Sequence, residues 1–348
     1  MATNQHSQET TIRDVAKAAG VAPSTVSRAF SRPGRVKVET AQHIFDIADA
    51  LGYRTKRIHS CPPAEESKRF NNLIAIVVAD LANPVFAGMV KSVLHECSDK
   101  QLGLLVLDSE ENGPLERDIL RQTSNHVDGV ILASSRLADS SARKIAEIKP
   151  VITINRPIRG IQSIVADIHI GLLEVVNHLH ALGHTGITYL AGPDASWQNG
   201  MRWRSLTIAC KQYRMKLHRI TCPSPNYSGG YRCFEAFRQN PTTAVVGYND
   251  LVSIGFIAAL KSKKINVPGE VSVVGIDNTS ISTLTTPALT TIDMPHRMAG
   301  KMAAQKLIAT LLHCPVKTSK PNMKPVMLPT HIIKRTSTGQ ASKALISK

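Results

Sequence analysis

Gly20 and Pro23 stand three residues apart in a segment that otherwise reads as helix, and together they force the chain to turn and start again. Before them, Ile12, Val15, Ala16 and Ala19 fall at i, i+3, i+4 and i+7, one face of a helix that opens at Thr11 with Asp14 as its capping-box partner. Gly20 supplies the left-handed backbone that closes a helix. Pro23 suits the first position of the next, where its missing amide would have had no partner. In that second helix Val26, Ala29 and Phe30 are spaced to pack on the first, which leaves Ser24, Thr25, Ser27 and Arg28 pointing outward. A third helix is predicted from about Val38 to Leu51, with Ala41, Ile44, Phe45, Ala48 and Leu51 on its inner face and Gly52 ending it. Such a unit is either a plain three-helix bundle or a helix-turn-helix reader of DNA. The outward face favours the second: small side chains allow close approach to a major groove, hydroxyls reach phosphates or base edges, and an arginine pairs bidentately with guanine.

From Leu73 the pattern changes to short apolar strands alternating with longer amphipathic helices. LIAIVVAD reads as a buried strand, PVFAGMVKSVLHECSDK as a helix, LGLLVLD as a strand and PLERDILRQTSNH as a helix; VDGVILAS, SARKIAEI and PVITINR continue the alternation. A second half repeats it with GLLEVVNHLHALG, ITYLAG, GMRWRSLTIACKQY, TAVVGYN, LVSIGFIAALKSKK and EVSVVGID. Parallel, doubly wound sheets in two lobes are predicted. Ligands of such sheets gather at the carboxyl ends of the strands, which nominates Asp80 to Phe86, Asp108, Ser134, Asn155, Trp197 to Arg202, Asn249 and Asp277.

At 348 residues and 43% hydrophobic, the chain has room for a head of about 60 residues and a large α/β domain. Its polar start, MATNQHSQET, lacks an apolar signal segment, and no run approaches the roughly 18 apolar residues of a membrane span. Six cysteines show no C-x-x-C pairing, so reduced thiols in a cytoplasm are expected. The net charge of +16 is unevenly placed: residues 1–72 hold 11 Lys/Arg against 7 Asp/Glu, residues 73–300 hold 22 against 19, and residues 301–348 hold 9 against none. Most of the excess is at the far end, which reads as a solvated surface and a loose basic tail from Thr336 onward. His178, His180 and His184 do not make a metal site, because helical positions two apart point about 200° from each other. No phosphate-binding glycine loop, no H-E-x-x-H and no nucleophile-base set is present, and no cofactor is expected.

The string D-V-A-K-A-A-G-V-A-P-S-T-V-S-R-A-F closely resembles the head of the lactose-repressor/galactose-repressor (LacI/GalR) family of bacterial transcription regulators. The phrases F-D-I-A-D-A-L-G-Y-R, N-P-V-F-A-G, V-D-G-V-I-L, L-G-H-T-G-I-T-Y-L-A-G-P, E-V-S-V-V-G-I-D and L-T-T-I follow in the family's order, so the resemblance covers nearly the whole chain. It implies an all-α helix-turn-helix head on a two-lobed, periplasmic-binding-protein-like α/β domain. It also implies a homodimer, or a tetramer, that binds near-palindromic double-stranded DNA with an affinity set by a small molecule. The basic C-terminal end would lie away from that DNA. Two readings of other classes stand beside this one: a sugar- or nucleotide-processing α/β enzyme, and a solute-binding module without regulation.

The resemblance also assigns residues. Ser24 and Arg28 would read bases, with Thr11, Ser27, Arg35, Thr40 and Tyr53 positioning the DNA backbone; Ile12, Pro23, Thr25 and Ser31 complete the DNA-facing set. In the larger domain Arg202 and Asp277 match the family's arginine after the G-P loop and aspartate ending the V-V-G-x-D strand, a donor and an acceptor for neighbouring hydroxyls of a sugar, polyol or nucleoside. Asn249 ends a strand in the N-D phrase, Phe86 takes the N-lobe stacking position, Trp197 and Tyr227 are further aromatic platforms, and His296 follows the strand that closes the cleft; Asp108 stays a candidate from its strand end alone. The chain departs from the family at the hinge, where RTKRIHSCPPAEESKRFNN replaces the usual alanine- and leucine-containing helix. The family's minor-groove wedge falls at Pro62, with Ile58 the other apolar candidate; the alternative is a flexible linker whose Lys56 and Arg57 touch phosphates. The expected division is 1–10 disordered, 11–57 head, 58–72 hinge or linker, 73–335 ligand-binding and dimerisation domain, and 336–348 flexible tail.

Overall fold

The computed structural model describes residues 10–31, 36–51, 53, 71–313 and 324–342. The expectations for Arg35, Lys56, Arg57, Ile58, Pro62 and the linker up to residue 70 lie outside those residues, as do residues 1–9 and 343–348; of Ser31 only the backbone is described. The chain divides into two compact units, Met1–Arg69 and Phe70–Lys348.

In the first unit α1 (Ile12–Ala18), α2 (Pro23–Ser31) and α3 (Val38–Ala50) follow in the predicted order. Thr11 fixes the entry to α1, its backbone N–H and hydroxyl donating to the Asp14 carboxylate at 2.8 and 2.6 Å. That charge also favours the positive end of the helix dipole. Gly20 takes φ +67°, and the next amide, Val21, reaches back to the Ala16 carbonyl at 3.0 Å. Pro23 then opens α2. Val15, Ala16, Ala19, Val26, Ala29, Ala41, Ile44 and Ala48 form the buried core. Over it the Phe30 ring meets Phe45 edge-on at 5.1 Å and Tyr53 at 5.9 Å. Leu51, expected on the inner face, is exposed because α3 ends one residue before it.

The second unit begins with β1 (Leu73–Val78), α4 (Pro84–Ser98), β2 (Gly103–Asp108), α5 (Gly113–Thr123), β3 (Gly129–Ala133), α6 (Asp139–Ile148), β4 (Val151–Ile154) and β5 (Gln162–Asp167). The chain then crosses to a second lobe with α7 (Ile168–Ala181), β6 (Gly186–Ala191), α8 (Trp197–Gln212), β7 (Lys216–Thr221), α9 (Tyr227–Arg232) and α10 (Phe234–Phe237). That lobe continues with β8 (Ala244–Gly247), α11 (Asp250–Ser262), β9 (Ser272–Asp277), α12 (Ile281–Leu284) and β10 (Thr290–Asp293). Finally α13 (His296–His313) and β11 (Val326–Pro329) return to the first lobe, and β12 (His331–Ile333) to the second.

Each lobe holds a six-stranded sheet, ordered β2-β1-β3-β4-β5-β11 and β7-β6-β8-β9-β10-β12. The pairings are parallel except β10 with β12. Buried on both faces, β1 reads as a continuous apolar run, sending Ile74, Ile76 and Val78 to one core and Ala75 and Val77 to the other. α13 belongs to the first lobe although it leaves a strand of the second: Ala299, Ala303 and Leu307 pack with Met89 and Val93 of α4. Gly300 permits that approach, since a Cβ there would lie 2.8 Å from the Met89 carbonyl oxygen.

Three short segments therefore join the lobes. Thr330 ties the first to the third, its hydroxyl donating to the Asp167 carbonyl at 2.6 Å and accepting from the Gly171 amide at 3.2 Å. Among the described residues no helix is long and apolar enough to cross a membrane.

Two boundaries are corrected. Asn71 belongs to the first lobe rather than to a linker, its amide donating to the Asp128 carboxylate at 2.9 Å. Residues 336–342 are not a loose tail. Ser337 is fully buried, accepting from the Thr290 amide and donating to the Val273 carbonyl, and Ala341 donates to the Leu182 carbonyl at 2.8 Å. These small uncharged residues run along the second sheet and satisfy its backbone, which a charge count cannot register. His178 and His184 serve the same segment, bonding Thr338 and the Gly339 carbonyl, while His180 lies against the Tyr213 ring.

Candidate functional site

The outward face of the head is laid out as its periodicity requires. Pro23, Ser24, Ser27 and Arg28 of α2 are exposed, as is Thr11, while Thr25, Ile12, Thr40 and Tyr53 are half-buried. Val26 and Ala29 on the opposite side are fully buried, so α2 is fixed by its apolar face and presents hydroxyls and one guanidinium outward. The Tyr53 ring is held by Phe30.

In the second unit the strand order reverses beside β1 and β6, the position where open α/β sheets bind ligands. The cleft there is lined from the first lobe by Asn83, Phe86, Glu111, Ser134, Arg136 and Asn155, and from the second by Gln198, Arg202, Tyr248, Asn249 and Asp277, with His296 on the connecting segment. Three of these close a strand with backbone in the left-handed half of conformational space: Ser134 at φ +58°, Asn155 at +61° and Asp277 at +124°. Non-glycine residues held this way cost about 1–3 kcal/mol each and cluster at binding sites.

Arg202 is held rigidly. It donates through Nη1 to the Tyr248 carbonyl, its guanidinium lies 4.5 Å over the Tyr248 ring, and Nη2 stands 3.6 Å from Asp277 Oδ1. The same Asp277 oxygen is 3.4 Å from His296 Nε2. Across the cleft Arg136 donates through Nε to Glu111 at 2.7 Å and through Nη1 to the Ser134 carbonyl at 2.5 Å. Burial raises the Glu111 carboxyl above its ordinary range despite the pull of Arg136. Behind Asp277, Asp250 is fully buried and accepts from the Thr291 hydroxyl and from the Thr279 amide and hydroxyl. Its carboxyl is pushed up to about 7, by burial first and then by the charge of Asp277.

Among the described residues five buried side-chain polar atoms lack a hydrogen-bond partner, and four of them line this cleft: both amide atoms of Gln198, Nε of Arg202 and Nε2 of His296. Native interiors pair nearly all such atoms, because each orphan costs about 1–3 kcal/mol. Four of the five face one space.

The expected set is thus partly gathered. Phe86, Arg202, Asn249, Asp277 and His296 line the cleft; Asp108, Trp197 and Tyr227 do not. Asp108 ties its own loop to the one after β1, accepting from the Glu110 and Leu81 amides. Trp197 is the first residue of α8 and half-buried, and its neighbour Gln198 takes the inward position. Tyr227 opens α9 on the exposed side. Asn249 lines the cleft with its amide committed, Oδ1 capping α11 at the Val252 amide and Nδ2 donating to the Pro225 carbonyl. Glu111, Arg136 and Tyr248 were not anticipated. Tyr248 precedes the N-D phrase and could have been found there; the other two sit in loops with no signal of their own.

Residues 11–56 match the family model "Bacterial regulatory proteins, lacI family", and residues 176–338 match "Periplasmic binding protein-like domain". The HTH-type transcriptional regulator DegA of Bacillus subtilis (strain 168) is 28% identical over 313 residues, 84% of this chain and 91% of DegA. A solved complex of the transcriptional regulator CelR with cellobiose superposes with TM-score 0.67 at 22% identity, covering 94% of this chain and 99% of that one. The lac repressor dimer bound to operator and the anti-inducer ONPF superposes with TM-score 0.69 at 23% identity, covering 95% and 100%. With both units matched in order and relatives of nearly full length that regulate transcription, the chain belongs to the LacI/GalR family of bacterial transcription regulators.

Proposed function

We propose that this protein is a repressor acting as a homodimer on a near-palindromic operator, and that a small, uncharged, hydroxyl-rich molecule in the cleft sets its affinity for DNA. The observation that carries the ligand reading is the set of four unpartnered polar atoms on Gln198, Arg202 and His296 around Asp277. The set combines donors with an acceptor, which hydroxyl groups can satisfy together. The fixed charges balance, Arg202 against Asp277 and Arg136 against Glu111, which favours a sugar, polyol or nucleoside over a phosphorylated or acidic one. Phe86 supplies an apolar wall. CelR, of similar fold, is described with cellobiose, a compound of that class.

In the head, Ser24 and Arg28 read base edges, with Thr11, Ser27, Thr40 and Tyr53 holding the sugar-phosphate backbone. A regulator of this kind works in the cytoplasm, beside the chromosome. Thermal-shift screening of neutral sugars, polyols, nucleosides and sugar phosphates tests the ligand reading, since a molecule selective for the folded protein raises its melting temperature. Stabilisation by a neutral compound that is lost in Arg202→Ala supports it; stabilisation by phosphorylated compounds alone would contradict it.

A further inference from the structure

The sulfurs of Cys222 and Cys233 lie 2.9 Å apart in the second lobe. Cys222 follows β7, its amide extending the pairing with β6 at the Ala191 carbonyl, and Cys233 ends α9. Both are buried in the core formed with Phe234, Phe237, Tyr248 and Phe256. The remaining described cysteines, Cys97 and Cys210, are buried singly, and burial pushes each thiol up to about 11.

We propose that Cys222 and Cys233 form a reversible disulfide under peroxide, fastening the end of β7 to the end of α9. The sulfurs need to close by less than about 1 Å to reach the ~2.05 Å bond, so only small side-chain rotations are required. The pair is also polarised. The hydrogen bond between the two sulfurs lowers the Cys233 thiol and raises that of Cys222. Cys233 is therefore the first nucleophile. Its thiolate attacks one oxygen of hydrogen peroxide, the O–O bond breaks, and the departing hydroxide takes up the proton released by Cys233 and leaves as water, giving a sulfenic acid. The Cys222 sulfur then attacks the sulfenic sulfur; the S–S bond forms, the S–O bond breaks, and hydroxide leaves with the Cys222 proton as a second water. Two thiols and one peroxide become one disulfide and two waters. Between the two cysteines in sequence, Pro223, Asn226, Tyr227 and Ser228 are exposed, so the buried pair is bracketed by a surface loop.

The ring closed by this bond contains Pro225, whose carbonyl receives the Asn249 amide at the cleft wall. Oxidation thus fixes the loop that supports one side of the cleft. A crosslink of this kind raises stability chiefly by restricting the unfolded chain.

The test uses the full-length protein, treated with hydrogen peroxide under native conditions, quenched, denatured, alkylated and mapped by peptide mass. Two of the six thiols should be lost, with a linked peptide joining positions 222 and 233 and lighter by two hydrogens. The melting temperature should rise by a few degrees and return on adding dithiothreitol. Cys222→Ser and Cys233→Ser should each prevent the shift and Cys210→Ser should not; if a serine variant fails to fold, the wild-type peptide map decides alone. Six intact thiols, a link to another cysteine, or a linked protein no more stable than the reduced one would overturn the proposal.

Discussion

Arg202 and Asp277 face each other at 3.6 Å with side chains only 5% and 6% exposed, an ion pair too long for a hydrogen bond. Each therefore keeps capacity for a third partner. Arg202 spends Nη1 on the Tyr248 carbonyl and retains Nε; Asp277 is approached by His296 without a bond to it. A hydroxyl between the two would donate to the carboxylate and accept from the guanidinium at once.

Breaking that pair should cost more than the pair is worth. Asp277→Ala leaves Arg202 buried without its counter-charge, and Arg202→Met does the same to Asp277, each costing about 3–5 kcal/mol. The double variant should lose clearly less than the sum of the two. Urea unfolding of all four proteins measures the coupling; strict additivity would show that the two charges do not sense each other.

Gln198 is predicted to trade stability for binding. Both its amide atoms are buried without partners, so Gln198→Leu should raise the melting temperature by a few degrees. The same change should weaken the ligand found by screening at least about tenfold, since it removes a donor and an acceptor. Calorimetric titration and thermal melts check the two halves separately, and a destabilised variant that binds normally would remove Gln198 from the site.

Asp250 should make stability depend on pH. Its carboxyl ionises near 3.8 when unfolded and at about 7 when folded, so the folded protein retains a proton that the unfolded chain releases. The resulting stabilisation is complete below pH 3.8 and is lost as pH rises to about 7. His178 and His184, held down by burial, act oppositely, their contribution disappearing as pH falls through 6.5. Asp250→Asn keeps the Thr279 bonds at its carbonyl and reverses the one to Thr291, its amide N–H donating to that hydroxyl. The difference in unfolding free energy between wild type and this variant should slope across that window and flatten above it; a constant difference from pH 4 to 8 would rule out the buried proton.

On DNA, Arg28→Ala should cost about 1–3 kcal/mol and relax the preference at one base pair if Arg28 reads guanine. Binding to operators carrying each base in turn checks this. Equal losses on every sequence would reassign Arg28 to a phosphate.

Much of this molecule was legible beforehand, for identifiable reasons. Gly20, Pro23 and the 3.6-residue spacing of Val15, Ala19, Val26 and Ala29 encode the head because local geometry and burial act on neighbouring residues. Phe86, Arg202 and Asp277 line the cleft because loops and strand ends converge at the sheet's switch point, a placement that strand order and the family phrases carry in the sequence. Trp197 stands outside the cleft because the phase of α8 turns Gln198 inward instead, which aromatic character does not reveal. Glu111 and Arg136 meet only when residues 25 apart in sequence are brought together, and Ser337 finds its place only against strands more than forty residues away. Contacts of that range leave no trace in local pattern.

The central claim is that one molecule in the cleft changes the hold of the head on DNA. Fluorescence anisotropy of a palindromic operator, titrated with the protein alone and then with the neutral ligand found by screening at saturation, measures this directly. Saturating ligand should change Kd by at least about tenfold, an effect that Arg202→Ala abolishes, with a reciprocal change in ligand affinity when operator is bound. An operator Kd that stays the same with and without saturating ligand would contradict it.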